Sequence, residues 1–216
     1  MSGFDWGVVV YAIPHLLSGT LITIQISVLA LFAGTLLGVV CGMLSVSEKP
    51  WLTVPVFFYV YFVRGTPVLV QIFLIYFSLP VIGIYLSPFW GGVVALTFNA
   101  GGYISEIVRA GIQSIDIGQT EAAKAIGMTK QKTLVHILLP QSWRRILPPL
   151  TNEMITLIKT SSLLSIISIF ELTRSAQVVI ADKFTPFEIY SLLAVFYLII
   201  ISALSQLSTY VERRLI

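Results

Sequence analysis

"EAAKAIGMTKQKTLVHILLPQ", Glu121 to Gln141, is the longest stretch of this chain with the character of a soluble helix, holding Glu121, Lys124, Lys130, Lys132 and His136. It stands in a sequence that is 56% hydrophobic and 11% charged, with a mean hydropathy of +0.92. That composition lies far outside the soluble globular range and implies an integral membrane protein in which lipid does the work of a core. A crossing needs about 20 mainly apolar residues for roughly 30 Å of hydrocarbon. The quoted stretch therefore marks where the chain leaves the bilayer, and the apolar runs on either side of it set the architecture.

Five such runs are present. Leu16 to Leu44 is the first, ending at Ser45-Val46-Ser47-Glu48-Lys49-Pro50. The second, Trp51 to Tyr85, is split by Arg64-Gly65-Thr66-Pro67. Proline pushes the preceding residue out of helical geometry, so Trp51 to Val63 is expected as an interfacial helix, with the crossing starting near Pro67 and Arg64 near a membrane surface. Phe89 to about Val108, Leu147 to Phe170 and Phe187 to Tyr210 complete the set. All five are expected to be helices, because lipid offers backbone groups no other partner.

Sidedness follows from Lys and Arg, which concentrate on the cytoplasmic side. Lys49, Arg109, Lys124, Lys130, Lys132, Arg144, Arg145, Arg213 and Arg214 share one side, while Arg174 and Lys183 lie on the other. The N-terminus is then outside and the C-terminus cytoplasmic. The first fifteen residues carry no Lys or Arg, so the first run reads as a retained span rather than a cleaved leader. The net charge of +3 reflects sidedness and not a nucleic-acid partner. The single Cys41 sits in an apolar run, where packing is its expected role.

The quoted stretch thus belongs to the longest cytoplasmic segment, 111–146. Its pattern is helix, turn, helix. Thr120 is placed to cap the first helix with Glu121 in its first turn, and Gly127 to end it. Thr129 is placed to cap a second helix in which Leu134, Ile137 and Leu138 recur at helical spacing until Pro140. Physics alone allows either an amphipathic hairpin on the lipid surface or a docking element for a partner groove.

Residue identities go further. Glu121-Ala122-Ala123, three residues, Gly127, nine residues, Ile137, one residue and Leu139-Pro140 resemble, at every signature position, the EAA loop of importer-type ABC-transporter permeases. "RGTPVLVQ", "YISEIVRAGIQSI", "LPQSWRRILPPL" and "IKTSSLLSIISIFEL" resemble further landmarks of the polar amino acid permease subfamily, so the resemblance runs from Leu16 to Arg214. It implies an all-α integral membrane protein of about five transmembrane helices, one permease domain over 1–216, of the type I importer kind, in a bacterial inner membrane. It also implies a coupling helix built on Glu121, Ala122, Ala123 and Gly127, seated in a cleft of a cytoplasmic ATPase dimer, with Leu139 and Pro140 carrying motion into the fourth span. The implied further partners are a second permease copy or a homologous permease, an extracytoplasmic amino-acid-binding protein and the amino acid itself.

The chain carries no Gly-x-x-x-x-Gly-Lys-Ser/Thr loop, and "GMTKQKT" at Gly127 lacks the second glycine. ATP and Mg therefore belong to the partner ATPase, and no cofactor is expected in this chain. His15 and His136 are isolated, so neither a metal site nor a catalytic triad is indicated.

Substrate class rests on polar residues within the spans. Glu153 and Lys159 are six positions apart, about 240° of rotation, and so leave the helix on different faces. By resemblance, Asn152-Glu153-Met154-Ile155 is similar to the basic amino acid systems, where a buried carboxylate would hold an arginine, lysine or histidine side chain. The other reading pairs Glu153 with Arg64 or Arg109. Asn99, with Gly101 and Gly102 beside it, is a candidate for binding the ligand's polar groups or for an interhelical hydrogen bond. Glu106 and Arg109 are spaced for an ion pair, and Lys159 has no evident partner because Thr160 stands where the subfamily's aspartate is usual. The competing functions are a glutamine or glutamate importer, and a carrier or channel that works without ATP.

Overall fold

The first run folds as one helix, α1 (Trp6–Ser45), 40 residues long. It begins ahead of the expected Leu16 because Asp5 caps it, accepting from the N–H groups of Gly7 at 2.9 Å and Val8 at 3.2 Å. The structure, a computed structural model, describes residues 4–215, with side chains through residue 210.

The second run breaks where Pro67 demands it. It forms α2 (Pro50–Gly65) and α3 (Val68–Ser78), the latter running into a 3₁₀ turn at Pro80–Ile82, and the two legs meet at 115°. Thr66 at the junction is extended, with φ −124° and ψ 147°. The expected crossing from Pro67 does not form as a single straight span: α3 has 11 residues, or about 16 Å of helix, too little for the hydrocarbon layer. Gln71 takes up the polar groups that the break releases. Its Nε2 donates to the carbonyls of Val63 at 2.8 Å and Thr66 at 3.1 Å, and to Thr66 Oγ1 at 3.0 Å.

Helix α4 (Pro88–Gln113) is the hub, packed against α1, α2 and α3 and against the fourth span. Its seam with α1 is built on Gly34, Gly38 and Gly42, four residues apart. A Cβ at Gly38 would lie 2.6 Å from Ile104 Cβ, and one at Gly42 would lie 2.6 Å from Val108 Cβ, so the backbones approach as they do only where side chains are missing. Gly101 and Gly102 admit Tyr59 and Val63 of α2 in the same way. Ile26, Ala30, Leu96, Ala100, Ile104 and Val108 form the centre of the core. Because protein surrounds it, α4 can carry Asn99, Ser105, Glu106 and Arg109. It is less apolar than α1 and α9 (Pro186–Leu215), which are long and apolar enough to cross unaided.

After the charged segment between α4 and residue 138 comes α7 (Leu139–Thr160), extended by a 3₁₀ turn at Ser161–Ile167 and followed at 49° by α8 (Leu172–Lys183). The fourth crossing is thus longer than the expected Leu147 to Phe170. Most of the stretch between the fourth and fifth expected runs is helix, because Glu171 caps α8, accepting from the N–H groups of Arg174 at 2.7 Å and Thr173 at 2.9 Å. Thr23 of α1 anchors the junction, its Oγ1 accepting from Leu172 N at 3.1 Å.

The two groups of charges sit at opposite ends of α1. Lys183 lies 4.5 Å from the Tyr11 ring at one end, and Lys130 pairs with Glu48 at the other. The side chains of Arg213 and Arg214 lie outside the described ones. Cys41 is buried, as packing requires.

Candidate functional site

The segment that opens the sequence reading forms two elements. Helix α5 (Ile117–Ala125) is capped by Asp116, whose Oδ1 accepts from Gly118 N at 2.7 Å. Thr120 was the expected cap; it lies inside the helix instead, and Glu121 lies past the first turn, because an aspartate four residues earlier already satisfies the helix start. Gly127 ends α5 as expected. At φ +79° its N–H donates to the Lys124 carbonyl at 3.0 Å and Met128 N donates to the Ala123 carbonyl at 3.0 Å, the paired closure that a left-handed residue permits.

Thr129 caps α6 (Lys130–Thr133), its Oγ1 accepting from Lys132 N at 3.4 Å. This helix does not stop at Pro140. It passes through a π-helical stretch, Leu134–Leu138, directly into α7. Pro140 lacks an N–H and its ring would press on the His136 carbonyl in α register, and a wider turn just ahead relieves that conflict. Leu139 and Pro140 are therefore the joint between the segment and the fourth span.

Three contacts tie the segment down. Lys130 pairs with Glu48 in the α1–α2 loop, Gln141 Nε2 donates to Gln119 Oε1 at 3.0 Å, and the Arg145 guanidinium donates to the Ser114 carbonyl at the end of α4. The Lys130 ammonium holds the Glu48 carboxyl below the usual carboxylate range. Glu121, Ala122 and Gly127 face solvent, whereas Ala123 is buried against the segment's own body. Ile117 and Ile126, at the two ends of α5, are 75% and 77% exposed, an apolar pair that the sequence reading did not single out.

A cleft of about 470 Å³ opens between α2, α4 and α7, lined by Arg64, Tyr103, Glu106, Arg145, Pro149 and Glu153 among others. Glu153 is 8% exposed and has no hydrogen-bond or ion-pair partner among the described residues. Pairing with Arg64 or Arg109, the alternative for this carboxylate, does not occur. Arg109 instead takes both oxygens of Glu106, as their spacing predicted, while its third nitrogen donates to Gln113 Oε1 at 2.7 Å. Lys159 is exposed on another face of α7.

Asn99 is not brought to this cleft. It is 7% exposed and its Nδ2 donates to Gln71 Oε1 at 2.9 Å, which places it in the network bracing the α2–α3 break. Gln71 was missed as a structural residue. The available signal was a lone amide within the apolar run Val68 to Phe77, where an unpaired polar group is costly.

A family model for the inner membrane component of binding-protein-dependent transport systems matches residues 34–216. The chain belongs to that family. It is similar to the glutamine transport system permease protein GlnP of Escherichia coli (strain K12), 40% identical over 215 residues that make up 98% of each chain. It is also similar to the arginine transport system permease protein ArtQ of Bacillus subtilis (strain 168), 36% identical over 213 residues, 98% of this chain and 97% of that one. Among solved structures, a chain of an amino acid ABC transporter with histidines superposes with a TM-score of 0.91 at 36% identity, covering 100% of both. The MetNI methionine ABC transporter in an inward-facing form matches at 0.78 and 20% identity over 92% of this chain and 95% of that one, a likeness of fold. This family member is therefore an all-helical, membrane-embedded transport component, and the segment around α5 carries the EAA pattern of such permeases.

Proposed function

We propose that this chain is the permease subunit of an ATP-driven importer of polar amino acids, with the basic ones, arginine, lysine and histidine, as cargo. The carrying observation is Glu153: a nearly buried carboxylate, without a partner, on the wall of a cleft large enough for an amino acid. An isolated buried charge is expensive, and a guanidinium or ammonium ligand is the group that relieves it by charge-assisted hydrogen bonds. The similarity to ArtQ and to the transporter solved with histidines supports this cargo. A second reading, glutamine, is favoured by the 40% identity to GlnP; Glu153 would then accept from the ligand's carboxamide. Asn99, hydrogen-bonded to Gln71 away from this cleft, takes no part in ligand binding in this reading.

In this mechanism α5 seats in a cytoplasmic ATPase dimer that binds ATP and Mg. Glu121 meets a basic group there, Ala122 allows close approach, and Ala123 fixes the helix to its support. The permease domain spans 1–216 with 111–146 in the cytoplasm, the N-terminus outside and the C-terminus inside. An extracytoplasmic binding protein delivers the amino acid, and a second permease copy or a homologue completes the path, since five spans enclose little. Against the ATP-independent carrier stands α5, whose Glu121 and Ala122 lie open to solvent as a docking helix requires.

The test is uptake of labelled arginine, lysine, histidine and glutamine into proteoliposomes holding the permease, its ATPase and its binding protein. Glu153→Gln is expected to depress basic amino acid uptake selectively while ATP hydrolysis stays coupled. Unchanged selectivity would remove Glu153 from the ligand site, and uptake without ATP would overturn the importer.

A further inference from the structure

The cleft holds a second ionic group with unused capacity. Arg64, in the last turn of α2, lines the cleft together with Glu153, and also lines the wider groove of about 1050 Å³ beside the aromatic face of α2, so it stands where the two spaces meet. Its side chain is 51% exposed, and its one charged neighbour, Glu106 Oε1, is 3.7 Å away, too far for a hydrogen bond. Glu106 is already committed, since Arg109 engages both of its oxygens. Arg145, the other guanidinium of the cleft, is anchored through Nη1 to the Ser114 carbonyl. The guanidinium of Arg64 therefore keeps its planar fork free of hydrogen bonds among the described residues, while the local balance of Arg64, Arg109 and Glu106 leaves one positive charge in excess.

A guanidinium that makes no hydrogen bond, ion-paired only at 3.7 Å to the already engaged Glu106, and a carboxylate with no partner among the described residues line one cleft and match a ligand that carries both signs. We propose that Arg64 binds the α-carboxylate of the transported amino acid while Glu153 holds its cationic side chain. The proposal rests on the basic amino acid reading of Glu153. The guanidinium fork is suited to a bidentate carboxylate, which fixes the ligand's direction in the cleft as well as its affinity. The cleft then distinguishes an amino acid from a simple polyamine of the same side chain. It rejects free cations by leaving Arg64 unpaired, and free anions by placing them near Glu153.

The experiment compares arginine with agmatine, which is arginine without its carboxylate. Binding of each labelled compound is measured on the permease–ATPase complex in nanodiscs, with no binding protein present, for wild type, Arg64→Gln, Arg64→Lys and Glu153→Gln. Wild type is expected to prefer arginine by about tenfold to a hundredfold, the worth of hydrogen bonds to a charged group. Arg64→Gln should bring arginine down to the level of agmatine and leave agmatine unchanged, and Arg64→Lys should recover part of the preference. Thermal unfolding of each variant separates misfolding from lost contact, since a misfolded protein weakens both ligands together. A preference that survives Arg64→Gln, or no preference in wild type, overturns the role of Arg64. If Glu153→Gln weakens neither ligand, the basic amino acid reading itself falls, whatever Arg64 does.

Discussion

Replacing Gln71 by leucine should damage the protein at a point remote from both the cleft and α5. Gln71 is 1% exposed, and its amide is the hydrogen-bond partner of the Val63 and Thr66 carbonyls and of Asn99 Nδ2. Thr66 Oγ1 keeps a partner in the Phe62 carbonyl at 2.8 Å, so the substitution strands three groups rather than four, the Val63 carbonyl and Asn99 Nδ2 buried and the Thr66 carbonyl partly so. Interhelical hydrogen bonds within membranes average about 0.6 kcal/mol, which sets a floor of roughly 2 kcal/mol for the three. Buried groups left wholly unsatisfied cost about 1–3 kcal/mol each, which raises the expected loss toward about 5 kcal/mol. The leucine recovers part of this by packing. Adding Asn99→Leu removes one stranded donor, so the double variant should be less destabilised than the sum of the single ones. The assay is thermal and denaturant unfolding of the nanodisc complex. Wild-type stability in Gln71→Leu, or strict additivity in the double variant, would refute the network as the brace of the break. Loss of ligand binding in Asn99→Leu at unchanged stability would return Asn99 to the ligand site.

Other outcomes follow from single contacts. Gly38→Leu forces a side chain into a space where even a Cβ lies 2.6 Å from Ile104, and should cost about 1–3 kcal/mol in the same unfolding assay by separating α1 from α4. The Glu48–Lys130 pair should tie α6 to the α1–α2 loop above the ordinary carboxylate pKa of 4.5 and release it as pH falls through the lowered Glu48 value. Amide protection over residues 128–133, relative to the intrinsic exchange rate at each pH, should therefore fall on acidification in wild type and be already lowered at neutral pH in Glu48→Gln. Ile126→Asp, at a 77% exposed position, should leave unfolding unchanged within about 0.5 kcal/mol yet weaken co-purification of the ATPase.

Much of this architecture was legible because it rests on local signals. The break at Pro67, the left-handed turn at Gly127, the Thr129 cap and the Glu106–Arg109 pair each follow from a residue and its immediate neighbours. Spacing separated Glu153 from Lys159, and burial agrees with it. The errors arose where a local signal met a competitor farther along the chain. Asp116 captured the helix start that Thr120 could have provided. Pro140 reads as a stop, yet a π-helical turn ahead of it lets the helix pass. Glu171 as a buried cap starts α8 between the fourth and fifth apolar runs, a helix no apolar run announced. Long-range partner choice was hidden: no one-dimensional pattern indicates that Asn99 meets Gln71, 28 positions away, or that Lys130 meets Glu48, 82 positions away.

The uninterrupted helical path from Lys130 to Ile167 makes the fourth span behave as a crank. From Lys130 to Glu153 is about 35 Å at 1.5 Å per residue, so a swing of about 10° pivoted at α6 would displace the Glu153 carboxylate by roughly 6 Å. That is close to the width of the ligand it is proposed to hold. A continuous helix of this length couples motion at its α6 end directly to the cleft, with bending concentrated at the π-helical stretch and at Pro148–Pro149. The ties at Glu48, Gln119 and Ser114 then act as bearings, deciding where the rod turns rather than how firmly the protein is folded.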